Sequence, residues 1–152
     1  MDRCSGILMH ISSLPSPYGI GTLGRAAYDF VDFLRDAGQK YWQLLPLGPT
    51  SYGDSPYQSF STFAGHPYFI DLDLLAADGL LDSAGLEKIN WGTNPRYVDY
   101  GKIYDSRFRV LREAFRSGFD RDRGVVEAFR EKNPWLPNYA LFMAVKKHFG
   151  MK

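Results

Sequence analysis

A chain of 152 residues with 45% apolar and 23% charged residues has an ordinary globular composition, which excludes both a disordered tail and a disulfide scaffold. Lysine and arginine total 18 against 17 acidic residues, so the formal charge of +1 provides no field to draw in nucleic acid or anionic lipid. Cys4 is the single cysteine and cannot form an intrachain disulfide, the start Met1-Asp2-Arg3-Cys4-Ser5-Gly6 lacks a secretory pattern, and no apolar run reaches the roughly 18 residues that cross a bilayer. A cytoplasmic chain with no membrane role is expected.

Gly6 to Ile11 (GILMHI) is a short apolar run that reads as a buried strand. The prolines and glycines that follow exclude regular structure from Ser12 to Gly21. Thr22 can cap a helix over Leu23 to Ala37, with Leu23, Ala27, Phe30, Val31 and Leu34 on one face and Gly38 as its stop. Tyr41 to Leu47 (YWQLLPL) is the next strand. Strand, helix, strand is a βαβ unit, which calls for adjacent parallel strands.

Further along, Phe69 to Leu75 (FIDLDLL) alternates and is expected as a strand with one solvated side. Helical spacing then takes over: Phe108, Leu111 and Phe115 within Asp105 to Arg116, and Val125, Val126 and Phe129 within Gly124 to Lys132. A last helix opens at Pro137-Asn138 and stops at Gly150. Asp105 to Lys132 holds eight basic and six acidic residues of alternating sign, which reads as solvated helix faces and not as a basic patch. The fold class is therefore α/β at the start, divided into 1–82, a first βαβ unit with a long loop, and 83–152, a mostly helical insertion. Two parallel strands cannot cover both their faces, so the chain reads as part of a longer fold.

The chemistry-bearing stretch is Pro46 to Pro67, PLGPTSYGDSPYQSFSTFAGHP, which leaves the C-terminal end of the second strand. That is the edge at which parallel α/β folds assemble their sites. Its prolines and glycines bend and stiffen the backbone, and Tyr52, Asp54, Ser55, Tyr57, Gln58 and Ser59 fill the turns with hydroxyl, carboxylate and amide groups. With aromatic residues at 16% of the chain, such a loop suits the C–H faces and hydroxyls of a sugar. A turn-capping role for Asp54 and core packing for Tyr52 and Tyr57 are the competing readings. His10, His66 and His148 lack metal-ligand spacing, no nucleotide-binding glycine fingerprint is present, and no cofactor is expected. His10 is expected in the core or on a cleft floor, and Trp42, Trp91 and Trp135 in packing.

SGILMHISSLPSPYGIGTLG and YWQLLPLGPTSYGDSPYQSFSTFAGHPYFIDLDLL closely resemble the N-terminus of the amylomaltases, the 4-alpha-glucanotransferases of glycoside hydrolase family 77. The likeness is strongest over residues 5 to 82 and continues in register through VDYGKIYD and YALFMAVK. It implies the N-terminal part of a (β/α)8 TIM barrel, and transfer of α-1,4-glucan segments to the 4-hydroxyl of glucose or another glucan with retention. In such chemistry one carboxylate attacks the anomeric carbon and a second carboxyl acts as acid and base. The resemblance puts both beyond Lys152 and leaves no catalytic residue in this chain. It assigns substrate binding to Tyr57, Ser55, Asp54 and Gly53 in the loop, and glucan contact away from the active centre to Tyr52 and Tyr104. The implied partners are malto-oligosaccharides and amylose. Ser51, His66 and Ser12 depart from the usual glycine, asparagine and Pro-Thr pattern, which touches loop detail only. A non-catalytic glucan-binding fragment and an α-glucan hydrolase of the α-amylase type remain the alternatives.

Overall fold

A computed structural model describes residues 3–51 and 53–150. The chain divides into two compact units, Met1–Ser117 and Gly118–Lys152.

In the first unit, β1 (Gly6–Leu8) and β2 (Tyr41–Gln43) pair in parallel, with Gly6 opposite Tyr41 and Leu8 opposite Gln43. Bonds from Lys40 N–H to the Ser5 carbonyl (2.9 Å) and from Met9 N–H to the Gln43 carbonyl (3.1 Å) carry the pairing just past both ends. α1 (Arg25–Asp36) makes the crossover, so the expected βαβ unit is present. Both strands are shorter than the apolar runs that signalled them. The first run ends in a 3-10 turn at Ile11–Ser13, and Leu47, at the end of the second, accepts a bond from His66 N–H (2.8 Å) in place of a strand partner.

α1 begins later than expected because Thr22 is committed elsewhere: its hydroxyl donates to the Asp71 carboxylate, and Gly24 takes the N-cap. A Cβ at position 24 would lie 1.9 Å from that same carboxylate, so a side chain there would displace it. Ala27 and Leu34 are buried, whereas Leu23 and Val31 are exposed, so the apolar face is narrower than the spacing implied. Gly38, at φ 69°, closes the helix with bonds from Gly38 N–H to Arg35 and Gln39 N–H to Leu34, a Schellman arrangement. Trp42 ties helix to sheet, its ring edge-on to Phe30 at 4.9 Å and its Nε1–H donating to the Met9 carbonyl at 2.7 Å.

The expected strand at Phe69 to Leu75 does not form. Pro67–Phe69 is a 3-10 turn and Leu72–Ala77 is a helix, α2, capped by the Asp71 carboxylate accepting from Leu74 N–H at 2.9 Å. Leu72 is wholly buried while Ile70 and Leu74 are exposed, so these three leucine and isoleucine positions do not share a face. An alternation this short fits either period, and the cap decides it. A further short helix, α3 (Ser83–Glu87), was not expected; Asp82 caps it through Ala84 and Gly85 N–H. Behind α3, the buried Trp91 donates from Nε1 to the Leu86 carbonyl at 3.0 Å.

α4 (Tyr100–Lys132) is one helix where the spacing suggested two. The intervening segment lacks apolar periodicity but carries helix-compatible charge pairs such as Arg123 with Asp120 (2.6 Å). The core of the first unit gathers Ile11, Leu14, Tyr18, Ile20, Leu72, Trp91, Ile103 and Val110. In the second unit α5 (Leu136–His148) has Pro137 in its first turn, and Gly150 follows it at φ 68°, as the sequence indicates. No helix among the described residues is long and apolar enough to cross a membrane.

Candidate functional site

Thr50 and Ser59 form an antiparallel bridge that pinches the base of the loop between them. Within it, Ser51 N–H bonds the Gln58 carbonyl (3.0 Å), Asp54 N–H the Ser51 carbonyl (3.2 Å), and Gln58 N–H the Ser55 carbonyl (3.0 Å). The chain reverses at Gly53 (φ 92°) and Asp54 (φ 54°), both in the left-handed region. Glycine enters that region freely and aspartate tolerates it better than most residues.

The loop walls a cavity of about 230 Å³ at the C-terminal ends of the two strands. His10 and Ser12 come from beyond β1, Leu45 and Pro46 from beyond β2, Thr50, Asp54 and Pro56 from the loop, His66 and Tyr68 from the segment after it, and Tyr100 from the start of α4. Asp54 is the one carboxylate in this lining. Burial holds its pKa above the usual carboxylate range, and the polar Thr50 side chain nearby partly offsets that. Burial, reinforced by Arg107 and then His10, pushes the His66 imidazole down to about 4, so it is neutral at pH 7. Burial also lowers His10 and raises the Tyr68 and Tyr100 phenols, with Asp54 adding to both of the latter.

His66 is fixed from several sides. Its ring stacks on Tyr68 at 4.2 Å, its Nδ1 accepts from Tyr68 N–H at 3.2 Å, and its Nε2 lies 3.0 Å from the Thr50 hydroxyl. His10 packs edge-on against Phe69 at 5.3 Å, and its buried Nδ1 has no hydrogen-bond partner among the described residues. Below the site, the fully buried Arg107 donates from Nη2 to the Ile70 carbonyl and remains a cation although burial lowers its pKa to about 10.

Gly53, Asp54, Ser55 and Tyr57, the residues singled out from the loop sequence, lie within one turn, and Asp54 faces the cavity. Tyr57 is 73% exposed, and its N–H reaches the Ser55 hydroxyl at 3.4 Å. Tyr104 lies on α4, apart from that turn, 43% exposed with its ring edge-on to Phe108 at 5.5 Å. Tyr52 lies outside the described residues. Thr50, His66, Tyr68 and Tyr100 were not singled out from the sequence as site residues, yet all four line the cavity. Their common signal is polar or phenolic side chains at the two ends of the proline- and glycine-rich loop and at a helix start. Among the described residues no group of three or more His, Cys, Asp or Glu is placed to hold a metal ion.

Comparison with known proteins gives consistent results. The profile of the 4-alpha-glucanotransferase family matches residues 9–152. The chain is 55% identical over 143 residues to a 4-alpha-glucanotransferase of Clostridium butyricum, covering 93% of this chain and 29% of that protein. It is 50% identical over 157 residues to that of Thermus thermophilus, covering 99% and 30%. Among solved structures, an amylomaltase from Streptococcus agalactiae in complex with acarbose is similar at TM-score 0.96 and 46% identity, over 99% of this chain and 31% of that one. The chain thus spans about 30% of the length of the relatives it matches.

Proposed function

The chain belongs to the 4-alpha-glucanotransferase family, glycoside hydrolase family 77, and from that premise we propose that the protein carrying it transfers α-1,4-glucan segments to the 4-hydroxyl of glucose or another glucan. In this reading β1 and β2 are the first strands of a (β/α)8 barrel. Residues 1–82 supply the opening βαβ unit and the substrate loop, and 83–152 the helical insertion.

The observation that carries the reading is the loop itself: an exposed Tyr57 ring and the Ser55 hydroxyl stand in the same turn as Asp54, at the rim of a cavity lying beyond the strand ends. Retaining displacement needs two carboxyl groups about 5 Å apart. The cavity lining offers one, Asp54, which suits binding and orientation of the glucan more than bond breaking. Asp54 and Ser55 hydrogen-bond sugar hydroxyls, Gly53 permits the turn, and Tyr57 lays its ring against a sugar face. Tyr104, with Tyr52, holds glucan away from the cavity. Malto-oligosaccharides and amylose are the partners, and the cytoplasm is the compartment that fits an enzyme of these substrates.

The test is product analysis on the full-length protein. Incubated with maltotriose, it yields glucose together with oligomers longer than the starting sugar; products that are only shorter would assign it to the α-glucan hydrolases. Tyr57→Ala lowers the transfer rate about a hundredfold through lost positioning near the reacting bond. Its melting temperature stays unchanged because the ring is mostly solvent-exposed. Unaltered kinetics would remove Tyr57 from the site.

A further inference from the structure

Tyr68 is 4% exposed and lines the cavity. Among the described residues, the buried side-chain polar atoms that lack a partner are Nδ1 of His10 and Nε and Nη1 of Arg107. The Tyr68 hydroxyl is not one of these enclosed atoms, and no group among the described residues hydrogen-bonds it. The oxygen is therefore both unpartnered and accessible, on a residue whose remaining surface is almost wholly covered. The space onto which it opens is the cavity.

The ring that carries this oxygen is held on several sides. His66 stacks on it at 4.2 Å, and the rings of Phe108 and Tyr100 lie at 5.8 Å and 6.5 Å. Its backbone is tied as well: Tyr68 N–H donates to His66 Nδ1 (3.2 Å), His66 N–H to the Leu47 carbonyl (2.8 Å), and Leu23 N–H to the Phe69 carbonyl (2.9 Å). A phenylalanine would make every one of these contacts. The oxygen bonds nothing in the protein, so packing gives no reason for it, and a hydroxyl without a partner adds nothing to stability. Tyr57 offers the cavity rim an exposed ring, whereas Tyr68 offers the cavity a single fixed oxygen.

The rest of the lining suits a neutral, hydroxylated ligand. Among the described residues it holds no lysine or arginine, one carboxylate at Asp54, and hydroxyls at Ser12, Ser13, Thr50 and Tyr100. A sugar hydroxyl both donates and accepts, so a site that combines a carboxylate acceptor with a phenol donor can use both capacities. Burial raises the Tyr68 pKa, which keeps the phenol protonated and able to donate at neutral pH. We infer that Tyr68 is a substrate-contacting residue whose immobilised phenolic O–H donates to a glucan hydroxyl in the cavity. Because the ring is already fixed, little side-chain ordering is left to oppose that bond. The inference rests on the glucanotransferase reading for the identity of its ligand.

Two measurements on the full-length protein test it. With tyrosine Cζ labelled for NMR, the Tyr68 signal, identified by its loss in Tyr68→Phe, shifts saturably as maltotriose is added; a signal that stays in place overturns the inference. In kinetics with maltotriose, Tyr68→Phe lowers kcat/KM about fivefold, the scale of one hydrogen bond between neutral groups. Its melting temperature stays within about 1 °C of the parent's, since the deleted oxygen bonds nothing in the fold. Unchanged kcat/KM with a lowered melting temperature would give the hydroxyl a structural role and also overturn the inference. If the Tyr68 signal shifts but the parent makes no transfer product, the functional reading fails and the sugar contact stands. If the parent transfers glucan while the signal is static and Tyr68→Phe matches it, the contact fails and the functional reading stands.

Discussion

The loop region of the first unit and the helices of the second are both legible in the sequence, but different forces hold them. In the first unit, ties join residues far apart in the chain: the Tyr18 hydroxyl to Asp73, Thr22 to Asp71, and Arg107 to the Ile70 carbonyl. In the second, near neighbours pair along the helix: Arg123 with Asp120, Asn133 Nδ2 with the Phe129 carbonyl at 2.7 Å, and Trp135 Nε1 with Asn133 at 3.0 Å. No residue of α5 is buried. A helix of that kind needs only propensity and local pairs, whereas a cavity with one carboxylate in a left-handed turn needs a surrounding core.

The largest effect that sharpens this contrast is truncation of the first unit's core. Leu72, wholly buried at the start of α2, costs about 3 kcal/mol when changed to alanine, read as a lower denaturant midpoint. A loss well under about 1 kcal/mol would mean that the first unit is no more tightly packed than the second.

Acid offers a comparable effect confined to the site. An ordinary histidine binds its proton near 6.5, while folded His66 refuses it until about 4. Between those values the unfolded chain holds the extra proton, so this contribution is complete above about pH 6.5 and is lost as pH falls toward 4. It amounts to on the order of 3 kcal/mol. The His66→Asn variant lacks that share of the acid limb, and the difference between the two stability–pH curves isolates it from the opposite contribution of Asp54. Parallel curves would show that His66 titrates normally.

The smallest expected change is in the second unit. Val125 is 72% exposed and Leu141 65%, and alanine at either position alters stability by no more than about 0.5 kcal/mol. A larger loss would show that these side chains are covered in solution.

Several features could be read from residue order alone. The βαβ start followed from two apolar runs around an amphipathic segment, the Gly38 stop from the need for a positive φ, and the irregular loop after β2 from its prolines and glycines. The misreadings have different causes. Thr22 looked like a helix cap because its true partner, Asp71, is 49 residues away, whereas Phe69 to Leu75 looked like a strand because so short an alternation fits either period until the Asp71 cap on Leu74 N–H settles it.

The sequence by itself determined the family, the parallel pair with its crossover helix, and the turn that presents Gly53 to Tyr57, since each depends on short-range backbone preferences and a distinctive residue order. Only the tertiary structure decided that Thr22 bonds Asp71, that α4 is continuous, and that His66, Thr50 and Asp54 line one cavity. Hydrogen bonds and burial act through space, and residues that share no local pattern become neighbours only after the core has brought their segments together.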